Sequence, residues 1–527
     1  MKTATVLRTS LVVFLFLISA KILNFFKKIL IGNLFGVSSV ADAFFAASYL
    51  PYYLAIFFEG VLFLGFLPLF AQVTAEKGEE EAKRFVSQIL ILVTLLTGFL
   101  VVLGWFLAPR IIHEIVPGFK ADKQGLTVSL FQILSLVVIF ISLTSFFKAL
   151  NSYFEHYAAA ASSALVDTAV MMGVTLISWK AWGIHGAAWA SVIGVISALI
   201  FQAVYFFRKH PFFPKKFSFE WSGFGKLLLF LIPMSFIWGF QQIPLVILNR
   251  FGSGMWQGTI SALAISQALT TVPMGLVSHT VLFAVFPSLA KQASEQAPEN
   301  AKETFFQTLR GGFLILIPVG FLLTSLARPF AALFFGGGGI LEEGTERIAN
   351  SLACFGWATF ALYADLFMTQ SLIAIRKTVP AIFLCASRAV LTYGIGYFLS
   401  TWWDYQGLAL SFSLALVVNF FVLFPIFFQG SPFRGKWQDL FGYFAKIALA
   451  SSPLLLGTWF MNQWSVNEWM GVSKMVLTMG LILSVLVGTA LYTLLLSWLR
   501  VEKIRSLFIE LKKGWSWKNW WLVEQSE

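Results

Sequence analysis

The chain is 527 residues long, 58% of them apolar and only 12% charged, with a formal net charge of +12. A soluble domain averages about 45–50% apolar and about 25% charged, so a water-soluble fold has nowhere to put this many Phe, Leu, Ile and Val side chains. A bilayer solvates that surface, provided the backbone satisfies its own hydrogen bonds within helices or a closed barrel. The apolar stretches run on without the period-2 alternation of barrel strands, so the chain reads as an all-α integral membrane protein of about fourteen transmembrane helices.

In chain order, apolar stretches of membrane-crossing length fall at 10–34, 42–72, 85–107, 126–150, 157–179 and 183–207. Six more follow at 224–248, 258–289, 305–326, 347–375, 378–401 and 406–428, and a last pair at 440–461 and 472–498. The first stretch has a rival reading as a cleaved signal, with Lys2 and Arg8 ahead of a short apolar run and Ile18-Ser19-Ala20 behind it. Apolar character resumes after Lys21 and continues to Phe35, which favours a retained helix.

Alternate connections carry the cations. Lys2 and Arg8, Lys77, Lys83 and Arg84, Arg208 to Lys216, Lys291 and Lys302, Arg376 and Lys377, and Arg434 and Lys436 fall on one side. The positive-inside bias places that side, and both termini, in the cytoplasm. The excess charge is therefore a topology signal and calls for no nucleic-acid partner. Residues 500–527 mix Arg and Lys with Trp515, Trp517, Trp520 and Trp521, the composition of a segment lying on the cytoplasmic membrane surface.

An internal repeat is visible. The stretch 61–72, with Pro68 and Ala71, recurs as 280–291, with Pro287 and Ala290, and the shared offset of 219 carries Glu76 onto Glu295 and Lys83 onto Lys302. Six helices separate matching points, so the two copies point the same way through the membrane, a transporter arrangement. The expected division is a six-helix lobe over 1–219, a second over 220–435, an extra helix pair over 436–499, and the tail.

No catalytic constellation appears, and no metal or cofactor is expected. Cys354 and Cys385 both lie in apolar stretches and read as small packing residues. The run 336–339 of four glycines lacks the Lys-Ser/Thr of a phosphate loop and reads as a turn. A membrane-embedded glycosyltransferase is disfavoured because no loop holds a carboxylate cluster for a metal.

The informative residues are ionisable groups at membrane depth, which are costly and generally face a cavity or a partner. The first helix carries Lys21, Lys27 and Lys28. Lys21 and Lys28 are two helical turns apart and share a face, with Lys27 about 100° round the helix from Lys28. Three cations without a neighbouring acid suit an anionic headgroup; snorkelling to the far interface is the alternative for Lys27 and Lys28. Asp42 reads as the cap of the second helix. Glu59, before Gly60, is placed to neutralise a first-helix lysine or to serve packing alone. His279 reads as an interior histidine ahead of a proton carrier. Arg388 requires an interior partner, and Asp365 is the acid proposed for it. Asp167 and Lys446 complete the set.

At the first two helices the residues Leu34-Phe35-Gly36, Asp42-Ala43-Phe44-Phe45, Leu50-Pro51, Glu59-Gly60, Phe66 and Pro68 resemble the opening of the lipid II flippase family called MurJ or MviN. Val285-Phe286-Pro287-Ser288-Leu289 resembles the matching signature of its second lobe. The resemblance covers the whole chain. It implies a V-shaped pair of lobes that rock about a central cationic cavity, with the last two helices forming a groove for a lipid tail. It implies movement of an undecaprenyl-diphosphate-linked peptidoglycan precursor between leaflets, with membrane lipids and cell-wall synthesis proteins as partners. Lys21, Lys27, Lys28 and Glu59 are then the substrate-binding residues, and Asp42, His279, Asp365 and Arg388 gating or structural ones. The chain departs from the family where it counts. Lys21 and Lys27 stand in place of two cavity arginines, and the two others fall near Ala55 and on Ala268. Lysine offers diphosphate a point charge where arginine offers a bidentate fork. Alternatives are therefore a flippase for another polyprenyl-diphosphate glycan, a drug or cation exporter of the same superfamily, or an inactive membrane scaffold.

Overall fold

The computed structural model describes residues 3–210, 224–294, 298–336, 340–375, 377–429, 433, 435–461, 466–499 and 501. Among them helix follows helix and no strand occurs. The first group comprises α1 (Thr3–Phe35), α2 (Ser39–Val61), α3 (Leu67–Lys77), α4 (Glu79–Ile115), α5 (Ala121–Tyr153) and α6 (Tyr157–Lys209). The second runs through α7 (Phe224–Gly252), α8 (Thr259–Ser294), α9 (Pro298–Ser325), α10 (Ala327–Phe335), α11 (Glu342–Gly356), α12 (Thr359–Ala374), α13 (Thr378–Val418) and α14 (Phe424–Phe427). Last come α15 (Trp437–Met461), α16 (Val466–Gly471) and α17 (Lys474–Trp498). The 502–527 tail, with its basic and Trp residues, lies outside the described residues.

Eight helices among the described residues are long and apolar enough to cross a membrane, and the bent pair α11–α12 makes a ninth if it is one span. Two of the eight are long enough to cross twice. α6 has 53 residues, which at 1.5 Å each is more than twice the roughly 30 Å hydrocarbon thickness. It turns back at Gly183, where φ is +53°, a conformation that costs glycine nothing. α13 makes the same reversal at Trp403–Asp404, with φ +47° at Asp404, one of the few residue types that tolerates the left-handed region.

Local chemistry sets the ends and bends. Ser38 caps α2, its Oγ accepting from the Ala41 N–H at 3.2 Å. The reading of Asp42 as that cap is corrected: Asp42 sits inside the first turn and its carboxylate is spent elsewhere. α4 opens with Glu79, Glu80 and Glu81 and α6 closes with Arg208 and Lys209, each sign at the end of the helix dipole that favours it. Two prolines are absorbed by wide turns. Residues Leu62–Phe66 and Asn419–Leu423 form single π-helical turns just before Pro68 and Pro425, where a proline has no N–H to give the regular ladder.

The two groups have separate apolar cores at one end and a common core at the other. Phe66, Phe70, Phe146 and Phe206 close the first group where α3 meets α4. Phe305, Phe313, Phe367, Phe420 and Phe433 fill the second, which α15 and α17 extend. At the opposite end one cluster joins Ile31, Phe44, Ile112 and Phe131 of the first group to Ile260, Ile265, Phe335 and Leu352 of the second. Hydrogen bonds lock that joint. Gly118 N–H donates to Ser253 Oγ at 3.0 Å, Asn33 Nδ2 to the Phe334 carbonyl at 3.0 Å, and Arg250 Nη1 to the Glu114 carbonyl at 2.7 Å. Large apolar side chains face outward, with Phe106 80% and Trp402 82% exposed, a surface suited to lipid rather than water.

Candidate functional site

Between the groups, short of the joint, lies a cavity of about 320 Å³. α1 supplies Asn24, Lys27 and Lys28; α2 supplies Phe45, Ser48, Tyr49, Tyr52, Tyr53 and Ile56; α7 and α8 of the second group supply Gln242 and Gln267. The α2 residues recur every three or four positions, the spacing that puts them on one helical face.

The first-helix lysines divide. Lys27 and Lys28 line the cavity, each over an aromatic face: Lys27 Nζ is 5.5 Å from the Tyr52 ring centroid and Lys28 Nζ 5.6 Å from that of Phe45. Both are within cation–π reach. Asp167 of α6 and the Tyr52 hydroxyl act on Lys27 electrostatically, and among the described residues neither ammonium is ion-paired to a carboxylate. Lys21 lies outside the cavity lining, in the field of Glu59. Six residues of helix, about 9 Å, separate it from Lys27.

Glu59 takes a partner that sequence reasoning missed. Its carboxylate is ion-paired to Lys148 of α5, so it is not bound to Lys28. No local pattern links positions 89 residues apart on two helices. The tyrosine stripe was legible as spacing on α2, yet nothing in the sequence said which way that face pointed.

Asp42 bridges the groups. Its two carboxylate oxygens accept from Gly258 N–H at 2.7 Å and Ser261 N–H at 2.8 Å, and Lys123 Nζ of α5 lies 2.9 Å away. A residue of α2 thus caps α8, filling the donors that every helix N-terminus leaves open. Lys123 also lies 3.8 Å from the Phe119 ring centroid, which fixes it over the joint.

Arg388 and Asp365 do meet. Both are buried within the second group, where the Arg388 guanidinium also donates to the Gln241 carbonyl of α7. The His279 side chain lies outside the described residues. Ala55 is fully buried and Ala268 half-buried, and neither lines the cavity. A wider hollow of about 810 Å³ near α11 has its arginines paired, Arg328 with Glu346 and Arg347 with Glu343.

A cationic, aromatic cavity between two helix groups joined at one end is the layout of a transporter, and sequence comparison names the kind. The family described as lipid II flippase MurJ matches residues 31–479. The chain belongs to the MurJ family. A probable lipid II flippase MurJ of Buchnera aphidicola (subsp. Schizaphis graminum) is 24% identical over 458 residues, covering 85% of this chain and 89% of the relative. The lipid II flippase MurJ of Burkholderia cenocepacia is 22% identical over 468 residues, covering 87% and 90%. A solved MurJ structure in an inward closed conformation has the same fold, with a TM-score of 0.76 at 21% identity over 95% of this chain and 100% of that one. An inward-facing multidrug transporter of the MATE family shares the architecture more distantly, with a TM-score of 0.65 at 14% identity over 82% of this chain and 95% of that one. The protein is thus a multi-pass bacterial membrane protein built on the MurJ transporter fold.

Proposed function

We infer that this chain flips lipid II, carrying the undecaprenyl-diphosphate-linked precursor from the cytoplasmic to the periplasmic leaflet of the inner membrane by alternating access. The observation that carries the reading is the pair Lys27 and Lys28, two cavity ammoniums without a paired carboxylate among the described residues, in a chain of the MurJ family. A diphosphate supplies the missing anion, and a charge-assisted contact is stronger away from bulk water. Lys21, with Glu59 and Lys148, stands between the cavity and the cytoplasmic end, at the level where Gly60 of α2 packs against Trp238 of α7. The joint held by Asp42 is then the closed periplasmic gate, and the separate cores mark the cytoplasmic side. In this reading both termini are cytoplasmic and about fourteen helices cross the membrane: resolving α6 and α13 into two spans each takes the nine described spans to eleven, and α1, α7 and α15 are further helices of span length. Two duplicated lobes, 1–219 and 220–435, precede the 436–499 helix pair. The reversals at Gly183 and Asp404, 221 positions apart, lie close to the 219-residue offset of the sequence repeat.

The test is flipping and substrate binding by Lys27→Ala and Lys28→Ala at matched expression, in cells depleted of their own lipid II flippase. Each lost charge weakens headgroup binding by about 1.5–3 kcal/mol, and Lys→Arg variants retain function. Full activity of both alanine variants leaves these lysines as snorkelling residues and removes the basis for the assignment.

A further inference from the structure

The cavity holds more than charge. Beside the two lysines stand three tyrosines on one face of α2, Tyr49, Tyr52 and Tyr53, and three carboxamides from three other helices, Asn24 of α1, Gln242 of α7 and Gln267 of α8. An ionised diphosphate only accepts hydrogen bonds, so it can take the N–H and O–H donors of these groups but leaves the three carboxamide carbonyls without a donor. Among the described residues none of the three carboxamides has a hydrogen-bond partner, although each faces the cavity. Such groups both donate and accept, the pattern that matches hydroxyl and acetamido substituents. A tyrosine offers an apolar ring face with a polar tip, and a pyranose offers apolar C–H faces rimmed by hydroxyls.

The placement is ordered. Lys28 stands over the Phe45 ring and Lys27 over Tyr52, so along α2 Tyr49 falls between the two cation contacts and Tyr53 just past them. The Tyr53 hydroxyl reaches the other helix group, 3.5 Å from where a β-carbon on Gly239 would stand. A volume of about 320 Å³ is at the small end of ligand sites, room for a diphosphate and the ring attached to it rather than a whole glycan-peptide headgroup.

We propose that Tyr49, Tyr53, Asn24, Gln242 and Gln267 form a saccharide subsite that reads the pyranose linked directly to the diphosphate, and so determine which polyprenyl-diphosphate glycan is carried. This rests on the reading that the lysines hold the diphosphate. It accounts for a cavity built with carboxamides and tyrosines: a site whose polar groups are satisfied only by the sugar rejects a lipid without one.

The experiment measures binding of two lipids to the purified full-length protein: bare undecaprenyl diphosphate and the same lipid carrying its saccharide. Tyr53→Leu, Gln242→Leu and Gln267→Leu weaken the saccharide-bearing lipid by roughly tenfold or more and the bare diphosphate by less than about twofold. Lys27→Ala weakens both. Tyr53→Phe and Gln267→Asn, the gentler variants, give a smaller loss of the same selective kind and serve if a leucine variant fails to fold. Equal loss for both lipids, or no loss for either, overturns the subsite. If Lys27→Ala leaves both lipids bound while the tyrosine and glutamine variants still discriminate, the diphosphate assignment falls and the subsite stands.

Discussion

Arg388 and Asp365 show what a single charge costs inside this protein. Each is nearly inaccessible, at 5% and 3% exposure, and each is the other's counter-ion. Removing one member of such a pair strands the other without solvent. Arg388→Ala is therefore expected to destabilise the second helix group by about 3–5 kcal/mol. Arg388→Met combined with Asp365→Leu should cost much less, because no charge is left unmatched. Thermal unfolding in detergent checks both, and equal losses in the single and double variants would show that packing rather than charge governs the site. A second residue-scale test lies just beyond α6. His210 Nε2 is 3.1 Å from His156 Nε2, with the His210 ring stacked on Phe154. Burial first, then the His156 ring and Lys209, hold the His210 pKa below its ordinary 6.5. A base with a depressed folded pKa binds fewer protons folded than unfolded, so its contribution is fully present above 6.5. That contribution is lost as pH falls from there toward the lower folded value. Unfolding followed between about pH 8 and pH 5 should show a drop that His210→Gln flattens.

Among the elements, α8 has a start that depends on another helix. Its N-terminal donors are met by Asp42 of α2, and the chain enters it through Gly258 at φ +91°. A β-carbon at Gly258 would lie 2.5 Å from Val37 Cγ1 and 2.7 Å from the Val37 carbonyl oxygen. Both contacts fall short of any tolerable separation, and the backbone conformation itself disfavours a side chain. Gly258→Ala should accordingly loosen the joint and cost at least about 1–3 kcal/mol. Gly442→Ala, on α15 with open space around its α-carbon, is the matched control and should be near neutral or slightly stabilising. Comparable melting temperatures for the two variants would contradict the close approach of α8 to the loop before α2.

For the whole molecule the question is which end opens. The Asp42 contacts hold the two groups together where their core is shared. Asp42→Ala removes two acceptors and leaves Lys123 without its carboxylate, so the population should shift toward a state open at that end. A cysteine placed at Ser261 is then modified faster by a membrane-impermeant thiol reagent added from the periplasm. An unchanged labelling rate would mean the contact is structural and does not gate. Orientation is tested separately: reporter fusions after Lys216 and Lys513 should read cytoplasmic and one after Glu343 periplasmic. A periplasmic reading after Lys216 would overturn the proposed topology and, with it, the assignment of the closed end.

What the sequence determined by itself is what the bilayer demands of any chain. Apolar runs of span length must be helices, because lipid supplies no partner for an open backbone, and so the elements were legible in order. The Arg388–Asp365 pairing was legible too, since so few acids lie at membrane depth in the second group that Arg388 had one obvious partner. The family was readable because short signatures such as Asp42-Ala43-Phe44-Phe45 and Glu59-Gly60 are local. Only the tertiary structure decided the long-range partners. Glu59 goes to Lys148 rather than Lys28, and Asp42 caps a helix 216 positions away rather than its own, because helices in a bundle choose neighbours by packing, not by distance along the chain. The same holds for the cavity. Lys21 and Lys28 share a helical face, yet the cavity takes Lys27 and Lys28 and leaves Lys21 to the Glu59 cluster, because the neighbouring helices enclose only part of that face's length. Rotation and depth of a helix among its neighbours are properties of the assembled core, and no periodicity along one helix contains them.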